Sequence, residues 1–165
     1  MIDEEEHRVL WIGVDGHPRS LPRARHVRGR RRPVAIMDRK AKLWAGLVER
    51  EAGRALDTVP ENERGWLSGP LEMRIDFNMP TDKQDRWGCL HTSKPDKDNL
   101  EKMVADCLER AGVLPGGDQV IASGETRKLW ARQGGCVISL RGVNKRQAGA
   151  SETGAGDAKA PDWLG

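Results

Sequence analysis

Acidic side chains and a lysine lie close together in residues 94–102, which read KPDKDNLEK. Asp96 and Asp98 stand where a polar loop enters a predicted helix, near enough to share a ligand. Two carboxylates held so close repel each other unless one is protonated or a cation lies between them. Asp98 and Lys102 are four residues apart, so both side chains project from one face of the helix, away from its apolar stripe. This grouping is typical of a site that binds a cation and a phosphate.

A third acid, Asp118, follows the helix and directly precedes the next predicted strand. Gly116 and Gly117 stand before it and free the backbone there. A helix followed by a returning strand can bring its start near the start of the strand. Aspartates that converge beside a lysine form a Mg²⁺ site, because Mg²⁺ prefers hard oxygen ligands and keeps open water positions. The predicted metal ligands are Asp96, Asp98 and Asp118.

Helix capping is the plainer interpretation of Asp96 and Asp98, because carboxylates are favoured beside the free amides at a helix N-terminus. Other metal sites fit less well. An EF-hand that began at Asp96 would need glycine and glutamate where Glu101 and Cys107 stand. The cysteines and histidines match no common zinc spacing. Capping and Mg²⁺ binding therefore both remain open from these residues alone.

Seven arginines and no acid lie between Arg19 and Arg32. Prolines and a glycine within the run disfavour a helix, so we expect an exposed, mobile basic loop over residues 19–33. The planar guanidinium suits phosphate oxygens. The loop is thus either a solvated basic loop without a ligand or a segment that binds nucleic acid. The residues predicted to contact DNA are Arg23, Arg25, Arg28, Arg30, Arg31 and Arg32.

The elements that position these residues follow from the spacing of apolar side chains. Residues 71–79 alternate strictly between apolar and polar, which indicates a strand with one buried face. Apolar residues recur at helical spacing over residues 98–111, and Gly112 is the expected stop. Asp38 is predicted to cap another helix. The predicted elements are strand 9–12, helix 38–56, strand 71–79, helix 98–111 and strands 119–130 and 136–140, the last two joined by a hairpin-like turn.

These elements predict an α/β fold of the mixed α+β kind, with a mixed sheet of about four strands and two main helices. One domain is expected to span residues 1–142, because 165 residues are enough for one core. Residues 143–165 are mostly small and polar, so we expect a disordered C-terminal tail.

Composition limits the class of protein. The chain is 37% hydrophobic and 32% charged, and it has no apolar run long enough to cross a membrane, so a soluble protein with no membrane partner is expected. The acidic N-terminus does not resemble a secretory signal. Three cysteines without a C-x-x-C pair argue against a disulfide framework and favour the cytoplasm. The net charge of +3 does not by itself identify a partner.

The pattern Asp96-x-Asp98-Asn99-Leu100-x-Lys102, followed by Asp106-x-Leu108, resembles the signature of the RusA family of Holliday-junction resolvases. Residues 70–80 are similar to the family strand that precedes the acidic motif, and residues 111–113 and 118–120 to the segment that follows the helix. Residues 26–30 resemble the family's basic N-terminal loop. The resemblance is close over residues 70–140 and looser over residues 9–56.

The resemblance implies a RusA-like fold and a homodimeric, Mg²⁺-dependent endonuclease that cuts four-way or branched DNA symmetrically in recombination and repair. It implies that Asp96 and Asp98 are metal ligands and that Lys102 is a catalytic lysine. Mn²⁺ is an expected substitute for Mg²⁺. The alternative is a non-catalytic, structure-specific DNA-binding protein on the same fold.

One position departs from the family pattern, which usually has an acidic pair, one further residue and then glutamine. Before Gln119 this chain has Gly116, Gly117 and Asp118, so the acid stands one residue late. A slip of one residue on a strand turns a side chain to the other face, whereas a bulge at the glycines restores its direction. We expect the bulge. The loop over residues 81–93 is also longer than in the family, and it carries Trp87, whose role is left open.

Overall fold

The computed structural model describes residues 8–20 and 38–143. Its strands are β1 (Val9–Asp15), β2 (Leu71–Pro80), β3 (Ile121–Ala131) and β4 (Gly135–Gly142), and its helices are α1 (Arg39–Asp57) and α2 (Lys97–Arg110). Short 3₁₀ segments lie at Glu61–Ser68, Gln84–Arg86 and Asp118–Val120. The predicted mixed α+β class is confirmed. The basic loop predicted over residues 19–33 and the tail predicted over 143–165 lie outside the described residues, apart from Arg19, Ser20 and Val143.

Both helices follow from local sequence signals. Asp38 is the N-cap of α1, and its Oδ1 accepts a hydrogen bond from the Lys40 amide at 3.3 Å. The apolar face of α1 is buried, with Trp44 and Val48 among its most buried side chains. Helix α2 ends at Arg110, and Gly112 follows its C-cap with a φ of +78° that suits glycine, at the place where a stop was predicted. These signals are local in sequence, so they could be recognised without knowledge of the tertiary structure.

Strand β2 is one of the two inner strands of the sheet, whose order is β1-β4-β2-β3. It pairs in parallel with β3 and antiparallel with β4. The predicted hairpin between the last two strands is therefore wrong, because β2 separates them. Only residues 132–134 connect the two strands, and they can reach across because two interstrand spacings amount to roughly 10 Å. A short connection between strands does not require that they pair.

The two helices pack on one face of this sheet. Every odd position of β2 from Leu71 to Met79 is buried, as its alternation predicts. The buried stripe of α2 adds to the same core as α1 and the sheet. The opposite face of the sheet carries ion pairs instead, including Asp76 with Arg127. Helix α2 contacts β3, and this neighbourhood contains the candidate site. In the part of the chain that is described, no helix has the length and apolarity needed to span a membrane.

Candidate active site

Three of the four predicted catalytic and metal-binding residues, Asp98, Lys102 and Asp118, line one open cavity of about 400 Å³. The cavity lies between α2, the first residues of β2 and β3, and the turn before β3. Its remaining lining residues are Met73, Glu101, Ala105 and Ile121. The fourth predicted residue, Asp96, is the N-cap of α2 and is not among the side chains that line the cavity.

Asp98 and Lys102 of helix α2 face the cavity because the opposite, apolar face of the helix is buried in the core. Leu100 and Met103 are completely buried on that face. Side chains four residues apart lie one above the other on a helix, so the acid and the amine enter the cavity together. This is the arrangement that their spacing predicted.

Asp96 does not behave as an ordinary capping acid. It occupies the N-cap position, but its side chain makes no capping hydrogen bond. Its Oδ2 lies 3.5 Å from Asn99 Nδ2, while its main-chain carbonyl accepts from the Leu100 amide and begins the helical ladder. The capping interpretation of Asp96 thus lacks the side-chain contact that would support it.

Asp118 reaches the cavity through a turn and not through a strand. It begins the 3₁₀ segment Asp118–Val120, and β3 starts only at Ile121, so the predicted start of this strand at Gln119 is wrong. The argument that a one-residue slip inverts a side chain applies to a pleated strand. It does not apply to Asp118, which lies before the pleat begins.

Glycine shapes the turn in front of Asp118. Gly117 has φ +81° and ψ 177°, a conformation that is essentially restricted to glycine. Its amide donates to the Leu114 carbonyl at 3.0 Å, and Gln119 Nε2 donates to the Gly116 carbonyl. A β-carbon on Gly117 would lie 2.6 Å from Gln119 Oε1. An acid at this position would therefore displace the end of the Gln119 side chain, and the positive φ would strain it wherever that side chain moved.

Glu101 also lines the cavity, although the sequence analysis did not select it. It follows Asp98 by three residues and directly precedes Lys102, so helical spacing could have placed it on the same side of α2. It adds a third carboxylate to the walls of the cavity.

The loop that leads to Asp96 is paired to the end of β3. The Gly88 amide donates to the Trp130 carbonyl at 2.8 Å, and the Trp130 amide donates to the Cys89 carbonyl at 2.9 Å. Trp87 is 37% exposed, and its indole N–H donates to the Thr81 carbonyl at 3.0 Å. The long loop over residues 81–93 thus extends the edge of the sheet beside β3.

His91 is buried within this paired segment. Its ring lies 4.1 Å from the Trp130 ring, centroid to centroid. Burial lowers the pKa of His91, and the charge of Lys128 lowers it further. The imidazole is therefore held neutral near pH 7 and contributes packing to the loop.

The donor chemistry of the cavity fits Mg²⁺. Within residues 8–20 and 38–143, no group of three or more His, Cys, Asp or Glu side chains is arranged to hold a metal ion. Mg²⁺ does not require such a group, because proteins commonly hold it with one or two carboxylates, several waters and the substrate phosphates. Asp98, Glu101 and Asp118 supply hard oxygen donors around an open space that admits water.

The six arginines predicted to contact DNA all lie outside the described residues, so their place relative to the cavity stays a prediction.

The three cysteines are free, with Cys107 and Cys136 buried and Cys89 exposed. Burial raises the pKa of the Cys107 thiol to about 11 and that of Cys136 still higher, so neither is a nucleophile at neutral pH.

Comparison with known protein families identifies a match over most of the chain. The family model described as Endodeoxyribonuclease RusA matches residues 15–141. The matched range contains every residue of the cavity as well as Asp96. Comparison with curated proteins finds no significant match.

Proposed function

Because the chain belongs to the RusA endodeoxyribonuclease family, we propose that it is a Mg²⁺-dependent endonuclease that resolves Holliday junctions and other branched DNA by paired, symmetric nicks. Family membership implies resolvase activity and branched DNA as the substrate. The observation that carries the proposal is the single cavity in which Asp98, Lys102 and Asp118 meet.

In this proposal Asp98 and Asp118 hold the cation, and Asp96 adds a carboxylate from the start of α2. When bound, Mg²⁺ activates a water and shields the charge of the phosphate. Mn²⁺ would substitute because it takes the same oxygen ligands. Lys102 directs its ammonium group at a phosphate oxygen, where charge develops as the phosphodiester is cleaved. Asp96, Asp98 and Lys102 are thus the proposed catalytic residues.

The arginines of residues 23–32 would supply phosphate contacts that do not depend on DNA sequence. A homodimer would place two copies of the cation site about a two-fold axis, which suits two matched strands of a four-way junction.

The three free cysteines favour a reducing compartment, and we propose the cytoplasm.

Incubation of the full chain with a synthetic four-way junction and Mg²⁺ tests the proposal. The wild type should produce paired nicks, and Asp98→Asn should abolish them while it leaves junction binding intact, because ligation of the metal needs the charge. Asp57→Asn is the matched control, since Asp57 is an exposed acid at the end of α1. Binding of the junction without nicks by the wild type would instead identify a non-catalytic DNA-binding protein.

A further inference from the structure

Lys128 connects β3 to the segment that immediately precedes Asp96. Its Nζ donates to the Ser93 carbonyl and to the Pro95 carbonyl, each at 2.7 Å. Lys128 pairs with the buried Phe77 of β2, so it lies on the helix-covered side of the sheet. The ammonium group therefore reaches from the sheet to the start of α2.

Few other hydrogen bonds hold this segment. Residues 88–91 are tied to β3 by backbone hydrogen bonds, the last of which runs from the His91 amide to the Lys128 carbonyl at 2.8 Å. From there to Asp96, the described residues contain no hydrogen bonds to residues 92–95 other than the two from Lys128. The side chain of Lys128 continues the attachment at the point where the backbone pairing ends.

The electrostatic setting agrees with this contact. Burial lowers the pKa of Lys128, and the negative charge of Asp96 opposes that shift, so the two groups act on each other. A partly buried ammonium group is costly unless its donors are satisfied. Two of its three donors are satisfied by these carbonyls, through charge-assisted hydrogen bonds that are stronger than neutral ones.

We propose that Lys128 is a positioning residue, which holds residues 93–95 so that Asp96 and the first turn of α2 are placed for cation binding. This inference rests on the proposed function in one respect, namely that Asp96 is a ligand of the cation. The expected consequence is specific: loss of the ammonium group weakens cation binding without a loss of DNA affinity.

Titration of the full-length chain with Mn²⁺, followed by the electron paramagnetic resonance signal of free Mn²⁺, measures this effect without any cleavage assay. Lys128→Met should weaken Mn²⁺ binding about tenfold, the range seen when residues that support a metal ligand are removed. Arg127→Met is the matched control, because Arg127 directly precedes Lys128 in β3 and pairs with Asp76 on the opposite face. That variant should bind Mn²⁺ like the wild type.

A purely structural role makes a different prediction. Both variants would then lower the thermal midpoint, and neither would change the Mn²⁺ affinity of the folded protein. Lys128→Gln, a smaller change, keeps the test valid if Lys128→Met does not fold, and it should also weaken Mn²⁺ binding. Wild-type affinity in the folded Lys128 variants would overturn the inference.

Junction cleavage separates this inference from the proposed function. A wild type that binds Mn²⁺ but makes no nicks, together with weaker binding by the Lys128 variants, would reject the nuclease and keep the positioning role. If the wild type nicks junctions and the Lys128 variants bind Mn²⁺ as the wild type does, the nuclease is kept and the positioning role is rejected.

Discussion

Gly117 stands where the family resemblance leads us to expect an acid, and its backbone conformation is one that suits glycine. Its φ and ψ lie in a region that side chains adopt only at a cost of about 1–3 kcal/mol. The turn that it forms brings Asp118 to the cavity. Asp118 therefore reaches the cavity from a turn, and not from a strand that is shifted by one residue.

Gly117→Asp should lower both stability and cleavage, even though it restores the acid of the family pattern. A side chain at the positive φ of Gly117 would strain the turn that positions Asp118, and its β-carbon would also displace Gln119 Oε1. Thermal unfolding and junction cleavage rates measure the two effects. Gly117→Ala is the matched control, because it introduces the same strain without a charge and should lose a similar amount of stability. Faster cleavage by Gly117→Asp than by the wild type would contradict this account.

Sequence spacing predicted some site residues well and others not at all. Asp98 and Lys102 belong to one helix, so their side-by-side placement depends only on helical geometry. Lys128 could not be identified, because its partners are main-chain carbonyls of a segment distant in the sequence. A main-chain carbonyl leaves no trace in the type of residue that carries it.

At the scale of elements, the strict alternation of β2 predicted its buried face but not its neighbours. The spacing of apolar residues indicates which side chains are buried, whereas the order of strands depends on which strand edges form hydrogen bonds with each other. The short connection between β3 and β4 suggested a hairpin, yet β2 lies between them. Helix α1 was easier to predict, because its cap and its apolar stripe are both local.

Close pairing between β2 and β3 depends on Gly124. A β-carbon there would lie 1.8 Å from the Met73 carbonyl oxygen, and the φ of +155° also favours glycine. Gly124→Ala should therefore destabilise the protein and disturb Met73, which forms part of the cavity wall. The measurement is the free energy of unfolding in urea.

Gly53→Ala should raise the free energy of unfolding in urea, whereas Gly124→Ala should lower it. Gly53 lies within α1, and a β-carbon there would meet nothing within 4 Å. Alanine should stabilise the helix by about 0.5–1 kcal/mol, because it lowers the backbone entropy of the unfolded chain. If Gly124→Ala and Gly53→Ala changed the free energy of unfolding equally, the proposed clash between residue 124 and the Met73 carbonyl would be wrong.

For the whole molecule, the basic residues 19–33 and the possibility of a homodimer remain predictions. Composition and charge pattern motivate the first, and the family resemblance motivates the second. Neither can be derived from the packing of one chain, because DNA and a second subunit are external partners. The disordered tail expected over residues 143–165 also stays a prediction, because only Val143 of it belongs to the described residues.

Salt dependence of junction binding tests the basic segment. Replacement of Arg28, Arg30 and Arg31 by alanine should weaken binding to all DNA sequences alike and make the dependence of affinity on salt less steep. The physical reason is that fewer counterions are released when fewer phosphates are neutralised. Fluorescence anisotropy over a series of salt concentrations gives the slope. An unchanged slope would mean that these arginines lie away from the DNA.

The central claim is that Asp98 and Asp118 serve one cation-dependent nuclease site. Junction cleavage rates of Asp98→Asn, Asp118→Asn and the double variant test it most directly. Residues that act as a unit are strongly non-additive, so the double variant should cleave no more slowly than the slower single variant. Each single variant should lower the cleavage rate by more than about 10–100-fold, which is the effect of removing a residue that only supports a metal ligand. A silent Asp118→Asn, or losses that multiply in the double variant, would contradict the account.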